Sequence, residues 1–363
     1  MTTPRNSSRS VAGVPLGPED ARRVHHRAFV FDGHNDIAGP LRRGESLEDR
    51  GGRGHLDLVR IRAGGLDGGI FAVFIDPDEP DPRARTFAGL EHLRTSLEAH
   101  PDVDLVLDGA AAAHAPGRPG RVAAVIGVEG GYAIDDDLGV FDDLVEAGMR
   151  CLTLTWNAPT AWADPAGGGP HGGLTAFGRR LVERAQEAGV LVDLSHADDS
   201  VVRAVIERAE RPVVSSHSGL RRLAPLPRNL PDDLLEGIAE TGGLVGVSFF
   251  NGHLSAEFEE ACTPFRARHF ADTEALARAV RAEVGTLPMS RLVEHVAHAV
   301  RVVGPDHVGL GSDFDGMWAL PEGLEDVTRL PDLSAALGPV FDEAGLTAFL
   351  GANWIRVLSA ALP

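Results

Sequence analysis

Six side chains able to hold a metal or move a proton stand at the ends of short apolar runs. His34 and Asp36 close Asp32-Gly33-His34-Asn35-Asp36, and Glu129 ends Gly127-Val128-Glu129. His196 follows Asp193-Leu194-Ser195, His217 follows Ser215-Ser216, and Asp313 follows Gly311-Ser312. Neutral imidazoles and carboxylates are donors that suit Zn²⁺, and a glutamate with two oxygens can bridge two metals. Side chains alternate along an extended segment, so His34 and Asp36 point the same way. A lone buried histidine is as readily a satisfied core residue as a ligand. A glutamate closing an apolar strand has few bland roles, because an unpaired buried carboxylate is costly. The weight therefore falls on the joint pattern rather than on any one residue. Asp315 is expected only to cap the following turn, and His295 and His298 to be surface or packing residues.

Such groups, spread over about 280 residues of sequence, need a fold that brings them to one point. Eight apolar runs supply it: Ala28–Phe31, Ile70–Ile75, Val122–Val128, Arg150–Thr155, Val190–Leu194, Pro212–Ser215, Gly243–Phe249 and Val308–Gly311. Helical patterns lie between them. Leu174–Gly189 ends in a glycine C-cap, Asp198–Glu210 opens on an aspartate N-cap, Pro231–Gly242 begins with proline and two aspartates, and Met289–Val303 repeats its apolar residues near every 3.6 positions. Continuous apolar strands separated by helices indicate a parallel sheet covered on both faces, and eight such units fit a closed (β/α)₈ barrel of the TIM type. An open doubly wound sheet would want a glycine-rich dinucleotide turn after its first strand, and Asp32–Asp36 is not that. In a barrel the carboxyl ends of all strands converge on one mouth, where active sites sit. The interval from about Asn251 to Asp306 is expected to hold two or three helices as an excursion, and the Gly167–Gly173 loop to be mobile.

The 363 residues carry a net charge of -19, which disfavours nucleic acid and anionic membranes as partners. There is no lysine, so the 34 basic residues are all arginines. Schiff-base chemistry, a Walker A lysine and a carbamylated lysine bridge are thereby excluded. Two cysteines, Cys151 and Cys262, make no disulfide framework. Residues 1–18 are expected to be a flexible tail and 19–363 a single hydrolase barrel domain. With no signal-like segment or apolar span, a cytoplasmic protein is expected.

With these motifs in place, the sequence resembles the renal (membrane) dipeptidase family, the M19 metallopeptidases of the amidohydrolase superfamily. The resemblance runs from Asp32 to about Ala361. Besides the segments above, it is carried by Leu152-Thr153-Leu154-Thr155, Arg228-Asn229-Leu230-Pro231-Asp232-Asp233, Gly311-Ser312-Asp313-Phe314-Asp315-Gly316 and Pro321-Glu322-Gly323-Leu324-Glu325-Asp326-Val327. It implies two zinc ions per chain, one on His34 and Asp36, one on His196 and His217, with Glu129 bridging. It further implies Asp313 as the proton shuttle and Arg228 as the grip on the substrate's C-terminal carboxylate. Trp156, followed by Asn157, stands where mammalian members place a substrate-contacting histidine, and Phe250 where they place a tyrosine. Trp156 is accordingly expected to be an apolar wall of the pocket, with Asn157 assisting the oxyanion. These departures bear on substrate preference, not on the metal site. Homodimers are common among such proteins, which is analogy alone.

The activity so implied is hydrolysis of dipeptides, including those with a D residue at the C-terminal position, by a metal-bridging hydroxide whose proton Asp313 passes to the leaving amine. The planar, always-charged fork of Arg228 suits a carboxylate. Its bland alternative is an ion pair with Asp232 or Asp233 at a helix entry. Three other functions stay open: hydrolysis of a β-lactam, an N-acyl amino acid or a lactone on the same metals; a dipeptidase serving one pathway's conjugate; and a non-catalytic metal-binding barrel, against which the presence of all six groups argues.

Overall fold

A computed structural model describes residues 13–363. Its strands are β1 (Phe31–Asn35), β2 (Gly68–Phe74), β3 (Val103–Leu105), β4 (Val122–Glu129), β5 (Cys151–Thr153), β6 (Leu191–Asp193), β7 (Val214–Ser218), β8 (Leu244–Ser248) and β9 (Val308–Gly311). All pairings are parallel. They run β1–β2, β2–β4, then successively to β9, and β9 returns to β1 through Asp32 and Leu310. Eight strands thus close a TIM-like barrel, as expected from the eight apolar runs. β3 stands outside the ring, along the first residues of β4. Its residues Val103-Asp104-Leu105 are only partly buried and are interrupted by a charge, so they make no apolar run for the sequence pattern to find.

The first strand lies further along than the apolar run Ala28–Phe31. It contains Asp32, His34 and Asn35, all buried. Polar side chains here face the site rather than solvent, so hydrophobicity ends before the backbone pairing does. The helices follow their capping signals closely. Thr175 caps Ala176–Glu187 and Asp198 caps Asp199–Ile206, each accepting a backbone N–H, and Pro231 precedes Asp232–Glu240. The excursion after β8 is more broken than expected: helices Asn251–Leu254, Ala256–Cys262 and Thr273–Glu283 precede the long helix Ser290–Val303. Phe258, Cys262, Phe265 and Val280 give it a small core of its own.

One end of the barrel is plugged. Phe31, Ile70, Val125, Cys151, Leu191, Val214 and Leu244, near the starts of their strands, pack with Trp354, Val357 and Leu358 of the C-terminal helix Asn353–Ala361. Trp354 reaches far enough in to donate its indole N–H to Leu310 O at 2.9 Å, and a Cβ on Gly33 would come within 2.1 Å of its ring. Only the opposite mouth is left for a ligand. Of the tail expected over residues 1–18, residues 1–12 lie outside the described residues. Leu16 N–H bonds Gly338 O and Phe341 O, and Pro18 opens a helix. The Gly167–Gly173 loop, expected to be mobile, is tied by the Asp164 carboxylate, which accepts the N–H groups of His171 and Gly173. Among the described residues no helix is long and apolar enough to cross a membrane.

Two histidines away from the mouth are locked as neutral rings. His295 Nδ1 accepts Leu220 N–H at 3.1 Å while Nε2–H donates to Leu254 O at 3.2 Å. His25 Nε2–H donates to Gly64 O at 2.8 Å and Nδ1 accepts from Ser334. Burial pushes both down to about 4. Below the unfolded value of about 6.5 the unfolded chain takes up the proton first, so stability present above pH 6.5 is lost as pH falls toward 4. The full shift corresponds to about 3 kcal/mol for each ring. Melting curves between pH 7 and 4.5 should show a shallower loss of Tm in the H25Q/H295Q variant than in the wild type. Parallel slopes would exclude these two rings as the source.

Candidate metal centre and active-site cavity

The six groups meet at the open mouth. His34 Nε2 lies 3.4 Å from Asp36 Oδ2 and 3.6 Å from Glu129 Oε2. The other Glu129 oxygen, Oε1, lies 3.2 Å from His196 Nε2 and 3.5 Å from His217 Nε2. One carboxylate therefore faces two histidine groups with its two oxygens. Donor atoms of Glu129, His196 and His217 gather within 4.8 Å of one another, and so do those of His34, Asp36 and Asp313.

The tautomers decide what these rings can do. Asn157 Oδ1 accepts His196 Nδ1–H at 3.0 Å. Ser216 Oγ donates to Asp193 Oδ2 at 2.7 Å, so it accepts from His217 Nδ1 at 2.9 Å. Both Nε2 atoms are then bare lone pairs, and they lie 3.0 Å apart beside a carboxylate oxygen. Facing lone pairs repel unless a cation sits between them. His34 Nε2 is likewise buried, with no hydrogen-bond partner among the described residues. The donor set of imidazole nitrogen and carboxylate oxygen fits a pair of divalent cations, with His34 and Asp36 on one side, His196 and His217 on the other, and Glu129 between.

The electrostatics agree. Burial, with the Glu129 charge added, raises the Asp36 carboxyl; burial, Asp36 and Glu129 raise Asp313 well above the carboxylate range. Burial opposes a charge on His34, but Glu129 and Asp36 outweigh it and hold that ring well above its ordinary value. Burial and nearby positive groups push His196 and His217 far down. Acids forced together raise one another's pKa until a cation relieves them.

The sequence pattern did not identify what holds these ligands. Asp32 accepts Ser312 N–H at 2.7 Å and Ser312 Oγ–H at 2.6 Å, tying β1 to the end of β9. Asp193 does the same between β6 and β7, accepting from Ser195, Ser216 and Thr153. A buried aspartate shortly before a histidine was the available signal for both. Asp315 is not the simple turn cap expected. It is buried and paired with Arg50 at 2.5 Å, and it exchanges bonds with the His55 backbone and ring. His196, Asp313 and Asp315 all have left-handed backbones, with φ of 66°, 61° and 66°. Such conformations cost roughly 1–2 kcal/mol each in a non-glycine residue and persist where the surroundings over-determine them.

A cavity of about 820 Å³ opens above the cluster and is lined by Asp36, Glu129, His196 and Asp313 together with Trp156, Asn157, Arg228 and Phe250. Trp156 packs against Phe74 with ring centres 4.7 Å apart and planes tilted by 51°. Arg228 donates to Ser218 Oγ at 2.8 Å and to His217 O at 2.7 Å, and its buried Nε–H has no partner among the described residues. The helix-entry ion pair is absent: Asp232 bonds His298 and Asp233 bonds Arg203. Burial lowers Arg228 to about 10, so it stays cationic at neutral pH. His295 and His298 are packing residues, as expected.

A family model described as membrane dipeptidase, peptidase family M19, matches residues 18–362. Mouse "Dipeptidase 3" is 32% identical over 343 residues, 90% of this chain; the chain spans 63% of that relative's length. A metallopeptidase from Rhodobacter sphaeroides, solved with a phosphinate mimic of the dipeptide L-Ala-D-Ala, has a TM-score of 0.77 at 28% identity, over 92% of this chain and 99% of that one. The metallopeptidase dipeptidase AC has a TM-score of 0.78 at 30% identity, over 93% of this chain and 99% of that one.

Gly316 leaves the space in which Asp36 and Asp313 approach each other: a Cβ there would fall 2.1 Å from Asp36 Oδ2 and 2.4 Å from Asp313 Oδ1. Gly316→Ala should therefore cost at least half of the bound metal while leaving the far-ultraviolet circular dichroism unchanged. Full metal content in the purified variant would show that the two carboxylates do not need this gap.

Proposed function

The chain belongs to the membrane dipeptidase family of metallopeptidases, peptidase family M19, and on that premise we propose that it is a dinuclear zinc dipeptidase, acting on short peptides with a free C-terminal carboxylate. The observation that carries this reading is one shared cavity. It is lined by His196, Glu129, Asp36 and Asp313 and by an arginine with no carboxylate partner among the described residues. His34, Asp36, Glu129, His196 and His217 would hold the metals. When bound, two such ions lower the pKa of a coordinated water toward about 7 and polarise a carbonyl oxygen.

The remaining work falls to the chain. Asp313 takes the proton of the attacking water and returns it to the leaving amine. Arg228, held from behind by Ser218 and His217, offers its free N–H groups to the substrate's carboxylate, and its charge survives burial. Asn157 keeps His196 in the tautomer that leaves Nε2 bare. Trp156 and Phe74 supply an apolar wall, and Phe250 another. The relative bound to an L-Ala-D-Ala mimic supports acceptance of a D residue at the C-terminal position.

Two substitutions test the assignment. Asp313→Asn should retain metal and lose about 100-fold or more in kcat, since the amide cannot accept the proton; a loss under about tenfold refutes the shuttle. Arg228→Ala should chiefly raise KM for free dipeptides and leave C-terminally amidated analogues unaffected. Equal losses on both would remove the anchor role.

A further inference from the structure

Asp313, which the reading above makes the proton carrier, stands on a strained turn. Its φ is 61° and that of Asp315 is 66°, both in the left-handed region that non-glycine residues avoid. One residue, Phe314, separates them, so a rotation at Asp315 is passed on to Asp313. The turn's backbone is tied to the end of β1: Asp313 N–H donates to His34 O at 3.0 Å, and Asp36 N–H donates to Phe314 O at 2.8 Å. The direction of the Asp313 carboxylate follows from this backbone.

Asp315 supplies the rest of the hold. Its carboxylate, 2% exposed, accepts Arg50 Nη1–H at 2.5 Å and His55 N–H at 2.8 Å, and its own N–H donates to His55 Nδ1 at 2.9 Å. Arg50 is itself fixed. It is buried, and it donates from Nε to Glu45 at 2.9 Å and from Nη1 to Leu56 O at 3.0 Å. The loop closes on the pair with no side chain between: a Cβ on Gly54 would fall 2.4 Å from Asp315 Oδ1 and 2.4 Å from Arg50 Nη2. The segment joining β1 to β2 thus clamps the turn that follows β9. Neither Arg50 nor His55 lines the substrate cavity, so a change at either reaches the chemistry only through the turn.

We propose that Arg50 and His55 are positioning residues for proton transfer: by holding Asp315 they aim the Asp313 carboxylate at the attacking water and the leaving amine. The proposal rests on the dipeptidase reading above. A reacting group misplaced by about 1 Å can cost about 100-fold, and the backbone ties to β1 survive loss of the guanidinium, so a smaller effect is expected. In zinc-loaded enzyme acting on L-Ala-D-Ala, Arg50→Met should lower kcat about tenfold, with KM changed less than about threefold and metal content unchanged. Arg50→Lys, which keeps a cation on Asp315, should bring kcat back to within about threefold of the wild type. The solvent isotope effect on kcat should rise in Arg50→Met, because a misplaced acceptor slows proton transfer; a smaller folded fraction would leave it at the wild-type value. The sharpest comparison is made in Asp313→Asn, where no acceptor is left to aim. Adding Arg50→Met there should lower kcat less than about threefold. Losses that multiply across the two sites overturn the proposal, and so does a loss carried by KM or a kcat in Arg50→Met close to the wild-type value. If Arg50→Met does not fold, His55→Phe, which removes the acceptor of Asp315 N–H, goes through the same comparisons with about a fivefold loss of kcat expected. A wild type that cleaves no dipeptide, or an Asp313→Asn that stays active, overturns the reading of the site instead, and those two controls tell the failures apart.

Discussion

Imidazole nitrogens and carboxylate oxygens are packed in groups of three within 4.8 Å at the barrel mouth, and much of the local architecture exists to keep them there. Left to themselves such groups would separate or take up protons, because like charges and facing lone pairs in a buried place are costly. The chain holds them with groups that are themselves satisfied. Asp32 and Asp193 each join two barrel strands through serine hydroxyls and backbone N–H groups directly beneath the ligands. Asp193, acting through Ser216, orients the His217 ring and Asn157 orients that of His196, neither competing for the metal.

The same constraint explains where the backbone is distorted. Asp313 and Asp315 alternate with Phe314 in a turn with two left-handed residues, and that turn is pinned from three sides. Phe314 O accepts Asp36 N–H, His34 O accepts Asp313 N–H, and Arg50 and His55 close on the Asp315 carboxylate. Breaking a buried ion pair such as Arg50–Asp315 costs about 3–5 kcal/mol because one charge is left alone. That is of the same order as the strain of two left-handed residues, so the ion pair offsets it and helps hold the turn in shape.

How much of this is legible in the sequence follows from what local pattern can encode. The barrel is legible because parallel strands covered on both faces must be apolar runs. β1 is displaced because its inward side chains are the polar ones the site needs, and β3 is invisible because it is only partly buried and carries a charge at Asp104. The mouth groups are legible as polar residues interrupting apolar runs. The Arg50–Asp315 pair and the Asn157–His196 bond are not, because each depends on a contact between segments 39 or more residues apart in sequence. Asp315 shows the limit: locally it is a turn residue, and only the fold makes it half of a buried ion pair.

The charge of the cavity completes the physical picture. Its lining includes seven carboxylates and four guanidiniums, on a chain whose net charge is -19. Such a cavity would repel an anion and bind a simple cation without discrimination. Two divalent cations at the floor would reverse that excess and bring the cavity close to neutral, with negative and positive groups held at separate places. Arg228 stands among them as a buried positive charge with no carboxylate partner among the described residues. A small zwitterion, neutral overall but charged at both ends, suits that distribution better than an anion or a cation of the same size. Electrostatic complementarity of this kind sets orientation as well as affinity. The metals that the ligand cluster needs for its own stability would thus also make the cavity hospitable to a molecule with separated ends.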